Sequence, residues 1–251
     1  FSESTIGSFS ILFLKRISDQ FEEQYEKILA TQWFDEAEEP LNYTYFVPKE
    51  ARRSALKDEK KNVGNTLNKA LELLEDANPE ALDGVLKHID FNIKKWKSSV
   101  PDSKLVDLLV HFSKYRLRND DFEFPDLLGA AYEYLLKSFA DSAGKKWWEF
   151  YTPATVVRLL VQLTDPQEWM SIYDPTVWSW WFLIQAKQYV EEQGQDSENL
   201  SLNGQEANWT TRAISKMNMI LHDVTDAKLE HGDTLADPRH QSGWELVSFD
   251  R

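Results

Sequence analysis

Cysteine is absent from the 251 residues, which excludes disulfides and thiolate-held metals but leaves the compartment open. Histidine is scarce: there are five, none in a His-x-x-x-His pair, so no metal site is expected. No run approaches the roughly 18 to 20 apolar residues that cross a membrane. No Gly-x-x-x-x-Gly-Lys-Ser/Thr sequence exists, so a nucleotide-driven motor is not encoded. Internal repeats and low-complexity tracts are missing as well. The first residue is Phe1, no basic and apolar leader follows it, and the chain reads as a trimmed or ordered piece of something longer.

What is present is ordinary for a soluble globular chain: 42% hydrophobic and 28% charged residues, enough for one large domain or two modest ones. The formal charge is −14 and unevenly spread. Residues 1–118 hold 18 basic and 20 acidic side chains (−2), whereas residues 119–251 hold 10 and 22 (−12). So acidic a second half repels phosphates and disfavours autonomous nucleic-acid binding. Basic clusters at Arg52-Arg53, Lys94-Lys95-Lys97 and Lys114-Arg116-Arg118 lie in the first half. They read as solvated helix faces, or as a face turned toward DNA.

The first half is helical. Ile11, Leu12, Leu14, Ile17, Phe21, Tyr25 and Ile28 recur mostly at three- and four-residue steps. Thr66 to Leu74 repeats the pattern and stops at Asn78-Pro79, because a residue before proline is pushed out of the helical region. Val100-Pro101-Asp102 opens another helix, with Leu105, Leu108, Leu109 and Phe112 on one face. Phe34 to Lys61, with Pro40 and Pro48, reads as a long connection with a short helix. Asn119-Asp120-Asp121 marks a change of character, and a helix from about Pro125 to Asp141 follows. Strands at Met170–Tyr173, Leu200–Asn203, Ala227–His231 and Glu245–Phe249 then alternate with helices at about 153–163, 181–193 and 207–222. That alternation indicates βαβ units and a parallel sheet. Two domains are expected: a helical one over 1–118 and an α/β one over 119–251.

Ligands of such a sheet bind beyond the carboxyl ends of its strands. Asp174, Glu206 and Asp233 each stand at or just after successive strands. Carboxylates there can accept from ribose hydroxyls and from an adenine amino group; singly, each also suits a helix cap or a solvated loop. Thr152-Pro153 before Ala154, Val156 and Val157 is a helix start, with Thr152 as the N-cap and Pro153 at the first helical position.

Glu149-Phe150-Tyr151-Thr152-Pro153, about twenty residues ahead of Tyr173-Asp174-Pro175-Thr176, resembles the paired signature of the N6-adenine DNA methyltransferases of type I restriction-modification systems. Ile11–Glu22 is similar to the helical amino-terminal domain of those modification subunits, and Phe124–Leu136 to their linker helix. Gly204-Gln205-Glu206 and Met217-Asn218-Met219 resemble the stretch after their second strand. The resemblance implies a helical N-terminal domain followed by an α/β Rossmann-like S-adenosylmethionine-dependent methyltransferase domain, incomplete here. It implies that Glu149, Tyr151 and Thr152 line the methionine end of S-adenosylmethionine. Asp174, Thr176 and Ser179 then belong to the first loop, Glu206 to the ribose and Asp233 to the adenine end. Methyl transfer is to the exocyclic amine of a flipped adenine. The implied partners are a specificity subunit, a second modification subunit and a restriction subunit, with DNA reached through the complex, in a prokaryotic cytoplasm and without a membrane.

The chain departs from that family in two places. Its loop after Asp-Pro-Thr reads Val177-Trp178-Ser179-Trp180-Trp181 where the family has Cys-Gly-Ser-Gly-Gly, and Trp147-Trp148 stands where a small pair is usual. Indoles there are expected to project into the cofactor's space rather than to serve as core. Replacement of a glycine-lined site, loss of cofactor binding in a natural relative, and an aromatic site for another ligand are all open. Second, the family's Asn-Pro-Pro-Phe/Tyr motif is missing, so no catalytic residue is assigned and the chain as written is expected to be impaired or inactive. The rival readings are a non-catalytic assembly module or pseudo-methyltransferase, and a Rossmann-type methyltransferase acting on protein or RNA.

Overall fold

The computed structural model describes residues 3–31, 34–56, 60–92, 101–121, 134, 152–178 and 180–251. The helix expected over Pro125–Asp141 therefore lies outside the described residues. The chain divides into two compact units, Phe1–Leu128 and Gly129–Arg251.

The first unit contains α1 (Glu3–Thr31), two single-turn helices α2 (Phe34–Ala37) and α3 (Arg53–Leu56), α4 (Val63–Ala77), the short α5 (Pro79–Leu82) and α6 (Asp102–Ser113). From Gly7 to Lys15 every residue of α1 is buried, and Ile17, Phe21, Asp19 and Glu23 extend that burial. A helix enclosed on all sides is a central pillar rather than a surface stripe. Its enclosed polar groups need partners, and the chain supplies them locally and from far away. Lys15 pairs with Asp19 within the helix. Asp19 and Glu23 also accept the backbone N–H groups of Leu117 and Asn119, at 2.7 and 3.0 Å. Arg118 grips Glu26 through both guanidinium nitrogens and holds its carboxyl below the ordinary range. The segment after α6 is thereby clasped along α1.

The ending of α4 at Ala77 follows the proline rule. Asn78 is the capping residue, Pro79 starts α5, and the Asn78 amide bonds both the N–H and the C=O of Phe46 at 2.8 Å. Under that turn, the buried Glu75 carboxylate accepts from the N–H groups of Gly84, Leu86 and Lys87.

The second unit opens with α7 (Ala154–Thr164) and continues β1 (Ser171–Asp174), α8 (Trp181–Glu192), β2 (Ser201–Glu206), α9 (Trp209–Leu221) and β3 (Lys228–His231). Pro153, extended at ψ 134°, is itself the residue before the first helical turn, so Thr152 does not cap α7 as expected and its side chain is left for another role. The three strands are parallel in the order β1-β2-β3, with Asp174 level with Gly204 and Glu206 level with His231. The second strand is longer than its apolar residues suggest, because Gly204, Gln205 and Glu206 continue the ladder.

Glu245–Phe249 is not a fourth parallel strand. Residues 245–246 form β5 (Glu245–Leu246) of an exposed two-stranded antiparallel hairpin with β4 (Gln241–Ser242). Parallel pairing starts further on: the Arg251 N–H donates to the Ser171 carbonyl at 3.2 Å, and the Tyr173 N–H to the Arg251 carbonyl at 3.0 Å. Those bonds lie on the edge of β1 opposite β2. The chain thus pairs with both edges of β1, and the carboxyl end of a strand flanked in this way is the switch point at which ligands of such sheets bind.

Candidate functional site

Three loops leave the carboxyl ends of β1, β2 and β3, and they are laced together. The Val177 N–H donates to the Gln205 carbonyl at 3.1 Å, laying the first loop across β2. That approach depends on Gly204, where an added Cβ would stand 2.2 Å from Val177 Cγ2. The Thr234 hydroxyl donates to the Pro175 carbonyl, tying the third loop to the first. Gln205, fully buried, accepts from the Arg239 N–H at 2.9 Å and donates to the Asp237 carbonyl at 2.8 Å. His240 bonds the Gly204 carbonyl at 2.9 Å, and Phe249 stacks on Tyr173 with ring centroids 4.6 Å apart.

At the switch point lies a cleft of about 540 Å³. Thr152, Tyr173, Asp174, Thr176, Trp178 and Phe182 are among its walls. Asp174 accepts the Thr176 N–H at 2.9 Å. Burial pushes its carboxyl above the ordinary range, against that hydrogen bond, and the nearby charge of Glu206 adds to the rise. A desolvated carboxyl facing a cleft is suited to a cationic ligand, whose charge would offset the burial.

The other two strand-end carboxylates are placed differently. Glu206 is buried beneath the first loop, with one oxygen accepting the Trp178 N–H at 3.0 Å and the other the Asn208 N–H at 2.8 Å. Asp233 is exposed and caps its own turn, accepting from Leu235 and Ala236 at 2.9 and 3.2 Å. Of the residues singled out from sequence, Thr152, Asp174 and Thr176 meet on one cleft, and Glu206 and Asp233 do not line it. Glu149, Tyr151 and Ser179, like Trp147 and Trp148, lie outside the described residues. The sequence reading missed Tyr173, Phe182 and Thr234. Only Tyr173 carried a signal, as the residue next to Asp174 on the strand.

The tryptophans correct an expectation. Trp178 forms part of the cleft wall, but Trp180 and Trp181 turn inward and are 3% and 7% exposed. Two of the three described indoles of this loop are therefore core, not obstructions. Trp180 precedes α8 at φ 46°, in the left-handed region, and its indole N–H finds no hydrogen-bond partner among the described residues.

The basic clusters also change meaning. Arg118 is engaged by Glu26, Arg116 by Asp121, and Arg52 by Glu38 while lying 4.6 Å over the Phe21 ring. Guanidiniums already neutralised in this way are poor phosphate contacts. Lys94, Lys95 and Lys97 lie outside the described residues.

Known proteins match this arrangement along most of the chain. The HsdM N-terminal domain family matches residues 9–112 and the N-6 DNA Methylase family residues 123–250. The HindI type I restriction enzyme methylase subunit of Haemophilus influenzae is 28% identical over 71% of this chain and 40% of its own length. The MjaIX methylase subunit of Methanocaldococcus jannaschii is 30% identical over 70% of this chain and 31% of its own. This chain thus spans well under half the length of those relatives. A type I methyltransferase subunit from Streptococcus thermophilus superposes with a TM-score of 0.71 at 22% identity, covering 98% of this chain and 57% of that one. The helical unit, the parallel sheet and both family matches agree: this chain belongs to the N-6 DNA methylase family, as a type I restriction-modification methylase subunit.

Proposed function

We propose that this chain supplies the cofactor-binding part of a subunit that methylates adenine N6 in DNA, and that in its tryptophan-bearing form it binds S-adenosylmethionine poorly. The observation that carries the reading is Asp174, a desolvated carboxyl at the switch point, sharing its cleft with Thr152 and Thr176. When bound, S-adenosylmethionine supplies an electrophilic methyl group on a positively charged sulfur. Asp174 would hold the cationic end of such a ligand, and Thr152 and Thr176 would offer hydroxyls to its polar groups. Glu206 keeps a free lone pair on each oxygen beside its two backbone bonds, but it is buried beneath the first loop and does not line the cleft, so a ribose would reach it only if that loop shifted. Trp178 narrows the same cleft. These two features support weak binding. The target base would be held by residues outside this sequence, which has no Asn-Pro-Pro-aromatic motif. A specificity subunit, a second modification subunit and a restriction subunit complete the proposed assembly. They would supply the phosphate attraction that the acidic second unit lacks, in a prokaryotic cytoplasm.

Titration calorimetry with S-adenosylmethionine tests this. The chain should show little or no binding, and the form with glycine at 147, 148, 178, 180 and 181 should recover it, with Asp174→Asn abolishing the recovered heat. Ordinary micromolar-class binding by the chain as written would refute the impairment. The burial of Glu206 outside the cleft also favours a second reading, a non-catalytic assembly module. Failure of the glycine form to bind, with its fold intact, would support that one.

A further inference from the structure

Five non-glycine residues have positive φ among those described: Asn62, Asp165, Trp169, Trp180 and Asp223. Asn and Asp tolerate the left-handed region; bulky side chains there are outliers. Both outliers are tryptophans, although only six tryptophans are described.

The surroundings of Trp169 define the position. Met170 N–H bonds the Gln167 carbonyl at 3.1 Å, so Gln167–Met170 is a four-residue turn with Trp169 third at φ 72°. In a type II turn the third residue takes such a φ, and glycine is the residue that fits it. The indole gains nothing in return, being 75% exposed. Trp180 repeats the backbone problem before α8, a capping position that glycine also suits. Trp178 and Trp181 flank it in a loop where the resembled family carries glycines. Trp244 shares the two-residue hairpin loop with Gly243, which alone takes a left-handed φ, and its indole lies wholly in solvent. Composition agrees. Nine glycines are about half of the ~7% usual in a chain of this length, and the shortfall of about nine is close to the ten tryptophans present.

We infer that positions 169 and 180 are glycine positions of this fold, and that the tryptophans there, together with those at 178, 181 and 244, are one systematic exchange of tryptophan for glycine. We further infer that the glycine form is the one whose first loop is open to ligand. A single decoding rule produces such an exchange, because the UGA codon is read as tryptophan in some genetic codes and as glycine in others. The clause on ligand rests on the cofactor reading above; the exchange rests on backbone geometry at 169 and 180, on exposure at 169 and 244, on the family resemblance at 178 and 181, and on composition.

Peptide mass mapping of the protein isolated from its native cells, with the codons read at the same positions, tests the exchange. Peptides spanning 169, 178–181 and 244 should carry glycine masses, and those positions should share UGA. Tryptophan masses there would overturn the inference, whatever the protein binds. Titrating the native-cell protein with S-adenosylmethionine then tests the ligand clause. Binding at least tenfold tighter than that of the tryptophan form supports it. Glycine masses without that gain would overturn the ligand clause and the cofactor reading while upholding the exchange.

Discussion

Replacing Trp169 by glycine and, separately, by alanine isolates the backbone contribution of the turn before β1. Both variants lose the same indole, already 75% exposed, so whatever packing it has cancels in the comparison. What differs is the response to φ 72°. Alanine held in the left-handed region costs about 1–2 kcal/mol, whereas glycine enters it freely. Glycine gives back about 0.5–1 kcal/mol because its unfolded chain is more flexible. The glycine variant should therefore be the more stable by roughly 0.5–1 kcal/mol, inverting the usual order. At about 2–4 °C per kcal/mol for a chain of this size, that is a difference of about 1–4 °C in melting temperature. Urea unfolding of both variants measures it, read as a shift in midpoint at constant m. The same pair at Leu163, 72% exposed inside α7, is the control, where alanine should win by about 1 kcal/mol. An alanine variant at 169 equal to or more stable than the glycine variant would refute the reasoning.

Gly204→Ala should cost about 1–3 kcal/mol, because the new methyl meets Val177 and the first loop must lift; a melting curve unchanged from the parent would contradict this. Lys216, buried on α9 with its ammonium on the Ala227 carbonyl at 2.8 Å, is pushed by burial to about 8 from the ordinary 10.5. The unfolded chain then binds the extra proton between those values, so stability should rise with pH across that window, by about 3 kcal/mol in all. Lys216→Met should remove the rise, and equal slopes in parent and variant would rule it out. Asp19→Ala should destabilise by about 3–5 kcal/mol, since Lys15 is left charged and buried, while Glu26→Ala at the exposed end of the same clasp should cost under about 1 kcal/mol. Similar losses from both, in chemical denaturation, would contradict the assignment.

Much of this architecture was legible because it is periodic. The apolar steps of α1, the stop at Asn78-Pro79 and the strand–helix alternation after residue 170 all come from local pattern, and the three parallel strands fall where the pattern put them within a few residues. The hairpin at 241–246 was misread as a parallel strand. Glu245 to Phe249 is a short, largely apolar run like one, and only the bonds from Arg251 to Ser171 and Tyr173 reveal where parallel pairing starts. At the site, Thr152, Asp174 and Thr176 could be named because strand ends are where loops converge. The tasks of Glu206 and Asp233 could not. A carboxylate looks the same in sequence whether it faces a ligand or caps a backbone, and the choice was made by a Trp178 N–H from a loop 28 residues away. Burial of Trp180 and Trp181 was equally hidden, since it depends on which way a left-handed residue turns the chain.

The enclosure of α1 has a consequence in time. Its buried Asp19 and Glu23 find their backbone partners 98 and 96 residues later, at Leu117 and Asn119. At about 5–20 residues per second of synthesis, roughly 5–20 seconds pass before those partners are even made. Through that interval α1 holds enclosed apolar surface and two carboxylates without their final ligands. Lys15 and Lys27 hold these carboxylates within the helix meanwhile, and a nascent chain halted short of residue 117 should be the form that aggregates or recruits a holding chaperone.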